Sequence, residues 1–214
     1  MAVSALDDVD LVLKTMAKTI VDNAVYFAEL DGVVGDGDFG YSLRNGFEVV
    51  VSDYDTFDRS SVGALLKKVG FVLSGKVGGV SGPIWGTAFL RAGVTAGTAK
   101  SLEPAQIIAM LRAAIEGIKA RGKSDVGDKT LLDALVPAVD TLEERVGTGD
   151  DAAAAVRAAA VVARERAEAT RSMQAMRGRA SYTGERSIGT LDAGAVAVAV
   201  MFEALADQLG QRQE

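Results

Sequence analysis

The amino-acid sequence predicts an all-α protein of about eight helices that forms one domain over residues 1–214. Apolar residues recur at helical spacing along most of the chain, and no short β-branched run is bounded by hairpin turns. Glycine-rich segments separate the periodic stretches, and no proline- or serine-rich linker divides the sequence. Hydrophobic residues make up 49% of the chain and aromatic residues only 6%. We therefore expect a core built mainly from Ala, Val, Leu and Ile.

The first half of the chain contains the clearest helical signals. A long first helix is predicted over residues 4–30, with Ser4 as a candidate N-cap. The helix over residues 61–76 places its apolar residues at the i, i+3, i+4, i+7 spacing of one helix face. These residues are Val62, Leu65, Leu66, Val69, Val72 and Leu73. Ser81, as an N-cap, and Pro83, near the first helical position, predict the start of another helix.

The second half continues the pattern. Isoleucines and a leucine at helical spacing predict a helix over residues 103–121, and Gly122 is placed to end it. An alanine-rich helix follows Asp150, and the last helix begins near Asp192. The eight predicted helices cover residues 4–30, 41–52, 61–76, 82–98, 103–121, 129–146, 150–176 and 193–211.

Composition narrows the function classes. The net charge of −6 argues against nucleic-acid binding, because no excess of Lys and Arg is present to neutralise phosphates. The sequence contains no Cys and no His, so disulfides, His-ligated zinc and a phosphohistidine relay are excluded within this chain. The N-terminal residues carry Asp7, Asp8 and Asp10 rather than a basic region, and the longest apolar run, residues 193–202, is too short to span a bilayer. We expect a cytoplasmic protein without a membrane partner.

Four glycine-rich segments lie between predicted helices, at residues 31–40, 78–83, 122–130 and 178–194. In a bundle of antiparallel helices, connections that are two apart lie at the same end. Several of these segments are therefore expected to converge on one site.

The first segment is rich in aspartate. Asp31, Asp36 and Asp38 place three carboxylates within eight residues, interleaved with glycines. Three anions this close repel one another unless cations lie between them, and hard oxygen ligands suit Mg²⁺ or Ca²⁺. The alternative is a solvated acidic turn, because Asp-Gly pairs are common in turns. A dinucleotide fingerprint is disfavoured because no strand precedes the segment, and EF-hand and Walker A patterns fail on their required residues.

The other segments suggest phosphate binding. Glycines before Ser81 leave the first amides of the following helix open to a phosphate, although an ordinary helix start explains the same residues. Arg179 and Arg186 are candidates for phosphate contacts, and an exposed solvated loop is the alternative for them. The segment around Lys129 is locally a turn followed by an N-cap.

Four motifs in this order carry a family resemblance. They are DGDxG at residues 36–40, GGxSGPxxGT at 78–87, RGKxxxGDKTxxDxxVP at 121–137 and GRASYxGERSIG at 178–189. Together they resemble the L subunit, the nucleotide-binding part, of dihydroxyacetone kinases, and the resemblance extends over nearly the whole chain. It implies an antiparallel barrel of eight helices with the nucleotide at one end.

The resemblance also implies a ligand set. Asp31, Asp36 and Asp38 match the family residues that hold two Mg²⁺ ions on the phosphates of ATP or ADP. No catalytic side chain is implied beyond these metal and phosphate ligands. The implied nucleotide contacts are Phe39, Gly40, Tyr41, Ser42, Val80, Ser81, Gly122, Leu131, Arg179, Asp192, Ala193 and Gly194. The sequence departs from the family pattern at Phe39, Ser42 and Ala193, where the family usually has His, Asn and Pro.

The function implied is phosphoryl transfer to a short ketose, either dihydroxyacetone or a tetrose ketose. In the family a separate K subunit binds the ketose through a histidine, which this chain lacks, so it is expected to work only with such a partner. The donor is either exchanging ATP or a retained ADP that a phosphohistidine protein of the phosphotransferase system recharges. Two other functions remain open, namely a nucleotide-dependent module acting on a transcription factor and a carrier of an apolar ligand.

Overall fold

Helices make up the regular structure of residues 5–212, the part of the chain that the computed structural model describes, and no strand occurs within that range. The described residues form nine α-helices: α1 (Ala5–Asp22), α2 (Ala24–Gly32), α3 (Phe39–Ser52), α4 (Val62–Lys76), α5 (Ser81–Ala96), α6 (Pro104–Gly122), α7 (Leu132–Gly147), α8 (Ala152–Ala169) and α9 (Ala193–Gln211). Three 3₁₀ turns cover Tyr54–Thr56, Thr170–Ser172 and Arg179–Ser187. The predicted N-cap Ser4 lies outside the described residues.

The predicted first helix is divided in two at Asn23, which is why the observed number exceeds eight. Asn23 has φ −104° and ψ 10°, outside the helical range. Its side-chain amide donates to the carbonyl of Thr19 at 2.9 Å, and its backbone N–H donates to the same oxygen at 3.1 Å. A short amide side chain that bonds to nearby backbone competes with regular helix geometry.

Three other predicted boundaries were wrong. The helix predicted to begin at residue 129 begins at Leu132, because Lys129 has a φ of +59° that an α-helix does not accept. The helix predicted to end at residue 176 ends at Ala169, where the Thr170 hydroxyl bonds to the Ala167 carbonyl at 2.6 Å. Ser81 is the first residue of α5 rather than its N-cap, a position that Val80 occupies without a side-chain cap.

The helices close into a ring. Passing round it, α1 packs on α3, and then α4, α5, α6, α7, α8 and α9 follow in chain order until α9 returns to α1. The helix α2 packs on both α3 and α9. The expected antiparallel barrel is therefore confirmed. Its alternate connections, α2–α3, α4–α5, α6–α7 and α8–α9, correspond to the four glycine-rich segments.

The core is aliphatic, as predicted, and small residues allow close approach of its helices. The face of α8 that carries Ala155, Ala159, Ala163 and Ala167 is completely buried, and these residues repeat every four positions. Between α4 and α5, a Cβ atom on Gly70 would lie 2.7 Å from a backbone carbonyl oxygen. Side chains larger than hydrogen would push these two helices apart.

The last helix is the one described helix that is long and apolar enough to cross a membrane by length and composition. Eight of its residues are buried, and it packs on α1, α2, α7 and α8. Contact with four other helices is the environment of a core helix in a helical bundle.

Candidate metal and nucleotide site

The three aspartates meet at the connection between α2 and α3. Asp31 lies in the last turn of α2, Asp36 in the connecting turn, and Asp38 at the N-cap position of α3. One carboxylate oxygen from each lies within 4.8 Å of the others. The turn favours glycine at position 35, because a Cβ atom there would lie 2.8 Å from the backbone carbonyl oxygen of Asp31, as well as 2.4 Å from its Oδ1. The local chain thus brings three carboxylates to one point.

Asp31 is the most buried member of the cluster. Its Oδ2 atom is inaccessible to solvent and has no hydrogen-bond partner among residues 5–212. Burial raises the pKa of Asp31 above its ordinary value, the N–H groups of Phe39 and Gly37 oppose this, and the charges of Asp36 and Asp38 raise the pKa further. A buried carboxylate oxygen without a donor, beside two more carboxylates, fits a hard cation such as Mg²⁺.

Arg179 brings the α8–α9 connection to this cluster. Its Nη1 atom contacts the Oδ2 atoms of both Asp36 and Asp38, the second at 3.2 Å. The two carboxylates raise the pKa of the Arg179 guanidinium. The three side chains are 57%, 41% and 51% exposed, so these ion pairs are weak and can give way to a metal ion. Arg186, the other candidate, contacts the Thr183 carbonyl of its own loop at 3.5 Å.

The connection between α4 and α5 reaches the same place. A Cβ atom on Gly78 would lie 2.8 Å from the hydroxyl of Ser42, so this loop runs directly beside the start of α3. Gly79 has a φ of +61°, and Val80 is 67% exposed. Ser81 begins α5, whose first amides have no partner within the helix and are oriented to bind an anion.

Residues predicted on the α6–α7 and α8–α9 connections also lie together. Leu131 occupies the N-cap position of α7, and a Cβ atom on Gly194 would lie 3.3 Å from the Leu131 Cβ. Asp192 caps α9 by accepting from the N–H of Ala195 at 2.7 Å, and Ala193 is buried. Gly122 ends α6 and lies next to Ile84 in α5, 3.6 Å from where its Cβ would be. The four connections therefore form one surface at one end of the barrel.

Asp192 shares the electrostatic environment of the aspartate cluster. Burial raises the pKa of Asp192 to about 7, an effect that the N–H of Ala195 and the charge of Lys129 reduce and the charges of Asp133 and Asp31 increase. Its backbone N–H donates to the buried Thr170 hydroxyl at 3.0 Å. A carboxyl with such a pKa changes charge near neutral pH.

Phe39, Gly40 and Tyr41 occupy the first turn of α3. The Phe39 ring packs against the core and lies 6.5 Å from the Phe27 ring, between centroids. Gly40 is buried against α2, where a Cβ atom would meet the Ala24 carbonyl at 1.9 Å. Tyr41 is 42% exposed, and the Arg44 guanidinium lies 5.2 Å from its ring centroid. The predicted nucleotide contacts of these residues stay predictions.

Two residues at this end of the barrel were missed by sequence reasoning. Asp133 is buried and accepts from the N–H groups of Gly127 at 2.6 Å and Thr130 at 2.7 Å. Lys129 is also buried, and its ammonium donates to carbonyls of the α8–α9 connection. The motif containing both residues was recognised, but spacing alone gives no sign of which of its charges are buried.

Comparison with known proteins agrees with this geometry. The DAK2 domain matches residues 33–207. The chain is 39% identical over 181 residues to the PEP-dependent dihydroxyacetone kinase, ADP-binding subunit DhaL, of Escherichia coli, covering 85% of this chain and 86% of that protein. It is 36% identical over 186 residues to the PTS-dependent dihydroxyacetone kinase, ADP-binding subunit DhaL, of Lactococcus lactis, covering 87% and 88%.

A solved structure supports the same assignment. The dihydroxyacetone kinase from C. freundii in complex with AMP-PNP and Mg²⁺ superposes with a TM-score of 0.73 at 25% identity, over 92% of this chain and 33% of that chain. The resemblance found in the four sequence motifs is thus confirmed. The chain belongs to the DAK2-domain family, together with the DhaL subunits of dihydroxyacetone kinases.

Proposed function

We propose that this chain is the nucleotide-binding subunit of a dihydroxyacetone-kinase-type phosphotransferase, with ADP or ATP bound at the end of the barrel where the four connections meet. The observation that carries the proposal is the aspartate cluster, in which a buried Asp31 oxygen has no donor among residues 5–212 while two further carboxylates lie within 4.8 Å. The relatives named as ADP-binding subunits and the neighbour that holds AMP-PNP and Mg²⁺ support it.

Asp31, Asp36 and Asp38 would hold the metal, as two Mg²⁺ ions. When bound, Mg²⁺ neutralises the charge of the nucleotide phosphates and of the group being transferred. The chain's own contribution is positional. The N-terminus of α5 directs backbone amides of Val80 and Ser81 towards an anion, and Arg179 adds a guanidinium beside the same carboxylates.

The remaining nucleotide contacts would come from residues that border the cluster. Leu131 and Gly194 lie in close contact, which makes a small apolar surface next to Asp192. Such a surface suits the flat face of a base or a ribose. The proposed nucleotide-contacting set is Phe39, Gly40, Tyr41, Ser42, Val80, Ser81, Gly122, Leu131, Arg179, Asp192, Ala193 and Gly194.

The phosphoryl acceptor would be held by a partner. A short ketose must be oriented so that one hydroxyl faces the phosphate, and this sequence contains no histidine for the covalent attachment that the family uses. A K-type subunit would therefore supply the ketose, in the cytoplasm. The names of the relatives, PEP-dependent and PTS-dependent, support a scheme in which bound ADP is recharged by a phosphotransferase-system phosphohistidine protein.

Nucleotide binding that depends on the cluster tests this function. Replacing Asp36 or Asp38 by Asn should abolish Mg²⁺-dependent ADP binding in calorimetry, because the metal loses a charged ligand. Asp207→Asn is the matched control, since Asp207 is exposed and lies far along α9 from the site. ADP affinity that is unchanged in Asp36→Asn and Asp38→Asn would refute the proposal.

A further inference from the structure

Lys129 is a buried lysine whose ammonium is surrounded by acceptors. Only 3% of the residue is exposed. Its Nζ atom donates to the carbonyl oxygens of Thr190 at 2.8 Å, Met173 at 3.2 Å and Ser187, and lies 3.2 Å from the Thr190 hydroxyl. Three carbonyls match the three N–H donors of an ammonium. Burial of this kind is rare for lysine unless its charge is satisfied, as it is here.

The backbone around Lys129 is held in an unusual conformation. Lys129 has a φ of +59°, and among the described residues only Lys123 shares a positive φ without being glycine. The buried Asp133 carboxylate accepts from the N–H groups of Gly127 and Thr130 on either side, which stabilises this turn. Non-glycine residues in this region persist where the surroundings require them, and they cluster at functional sites.

The three carbonyls that Lys129 contacts lie on both sides of Arg179. Met173 precedes Arg179 in the chain, while Ser187 and Thr190 follow it, so one ammonium ties the two ends of the segment 173–190 together. The Ser187 hydroxyl reinforces this closure by accepting from the Ala175 N–H at 2.9 Å. The closed segment carries Arg179 to the carboxylates of Asp36 and Asp38.

We propose that Lys129 is a positioning residue for the metal and nucleotide site, which acts by closing the segment 173–190 and thereby holding Arg179 over Asp36 and Asp38. This inference rests on the proposed function, since it assumes that the cluster binds Mg²⁺ and nucleotide. Its physical basis is that a buried ammonium with three acceptors has one favourable position. The two ends of the segment that supply these acceptors are thereby fixed, and this restricts the position of the Arg179 guanidinium between them.

The test uses Lys129→Met, which keeps an unbranched apolar stem but removes the ammonium and its donors. Lys123→Met is the matched control, because Lys123 has a positive φ in the same connection and is exposed. Release of a fluorescent ADP analogue in the presence of Mg²⁺ should be about tenfold faster in Lys129→Met than in the wild type. Trypsin should also cleave the nucleotide-free variant faster at Arg177, Arg179 and Arg186, as followed by mass spectrometry of the peptides.

A double variant separates positioning from a general loss of stability. Once Lys129→Met has freed the loop, adding Arg179→Met should accelerate release less than Arg179→Met does in the wild type. If Lys129→Met does not fold, Thr190→Val is the milder substitute. It removes one acceptor of the ammonium together with the hydrogen bond that the Thr190 hydroxyl donates to the Ser187 carbonyl, and release about twofold faster is expected.

Each outcome has a distinct meaning. A wild-type protein that binds no Mg²⁺-nucleotide would refute the proposed function. If the wild type binds Mg²⁺-nucleotide, two results would overturn the role of Lys129 alone. The first is that Lys129→Met, or its substitute Thr190→Val, shows wild-type release and cleavage rates. The second is that the effects of Lys129→Met and Arg179→Met are fully additive in the double variant.

Discussion

The Nη1 atom of Arg179 lies 3.2 Å from the carboxylate of Asp38, although the two residues are 141 positions apart in the sequence. The same nitrogen contacts the carboxylate of Asp36. The arginine therefore sits on the carboxylates that are proposed to bind Mg²⁺. The guanidinium and an incoming metal ion therefore compete for the same oxygens.

This competition gives opposite predictions for metal and nucleotide. Arg179→Met should leave the affinity of the nucleotide-free protein for Mg²⁺ unchanged or higher, because a competing cation is removed. ADP affinity should fall about tenfold, as expected for one lost charge-assisted hydrogen bond. Calorimetric titrations with Mg²⁺ alone and with Mg²⁺-ADP measure both. Arg186→Met is the control within the same loop, and weaker binding of Mg²⁺ alone by Arg179→Met would contradict the argument.

Asp31 is expected to lower the stability of the metal-free protein while it is required for metal binding. Its carboxylate is buried near two like charges, and its pKa is raised. An Asn side chain can still accept the hydrogen bonds that the N–H groups of Gly37 and Phe39 donate. Without metal, Asp31→Asn should be more stable by about 1 kcal/mol, which corresponds to about 2–4 °C in melting temperature. The stabilisation that Mg²⁺-ADP gives to the wild type should be lost. Thermal unfolding with a chelator and with Mg²⁺-ADP tests this, and a lower melting temperature in the chelator would count against it.

Asp192 should make the stability of the metal-free protein depend on pH. The unfolded carboxyl loses its proton near pH 4, whereas the folded one keeps it up to a pKa of about 7. Stability from this group is therefore lost as the pH rises from about 4 to about 7, and it changes little above that. The shift sets an upper bound of about 4 kcal/mol, and the contribution is smaller because the Asp192 residue is only partly buried.

Asp192→Asn removes this pH dependence while keeping a residue that caps helices well. Urea unfolding of both proteins at about pH 5 and pH 8, with a chelator present, should show the variant gaining stability relative to the wild type at the higher pH. Parallel pH curves for the two proteins would show that Asp192 does not titrate in this range.

Phe39 is expected to influence how long the nucleotide stays bound. Its ring packs on the core beside Phe27, so Phe39→His replaces an apolar contact by a group that can donate a hydrogen bond at the start of α3. The release rate of ADP should change while Mg²⁺ binding remains, with a stability cost of about 1–2 kcal/mol from lost apolar burial. Phe39→Leu is the control, because it keeps the apolar character of the side chain. A change in ADP release that occurs in Phe39→His and not in Phe39→Leu would support the expectation. Equal release rates for Phe39→His and the wild type would contradict it.

Sequence periodicity predicted the helices and the convergence of the connections well, because apolar spacing reports directly on which helix face is buried. The alternating position of the glycine-rich segments was enough to place them at one end of the barrel. The division at Asn23 was not predictable, since the amide of Asn23 could equally have faced solvent. The interaction of Lys129 with Met173, Ser187 and Thr190 was hidden for a related reason. A lysine in a polar turn is usually exposed, and its burial here depends on carbonyls more than forty residues away.

Exposed apolar side chains border the proposed site and suggest where a partner contacts it. Val33 follows the proposed metal ligand Asp31 by two positions and is 65% exposed, and Val80 beside the α5 N-terminus is 67% exposed. Tyr182, three residues after Arg179, is 88% exposed. Tyrosine is enriched at the centre of protein interfaces, where its ring gives a large contact area. A subunit that presents a ketose to the nucleotide must approach this end of the barrel.

The isolated chain should therefore bind Mg²⁺-nucleotide yet fail to phosphorylate dihydroxyacetone or a tetrose ketose, because nothing in its sequence replaces the histidine that orients the sugar in this family. Activity should appear when the cognate K-type subunit is added, measured as phosphoketose formed from ATP or from the recharged nucleotide. Tyr182→Ser should lower this partner-dependent rate about tenfold at limiting partner concentration without changing ADP affinity. Phe71→Ser is its control, since Phe71 is 70% exposed on α4 and lies outside the four connections. Robust turnover by the chain alone would refute the division of the site between two subunits, because it would require a ketose-binding pocket within these 214 residues.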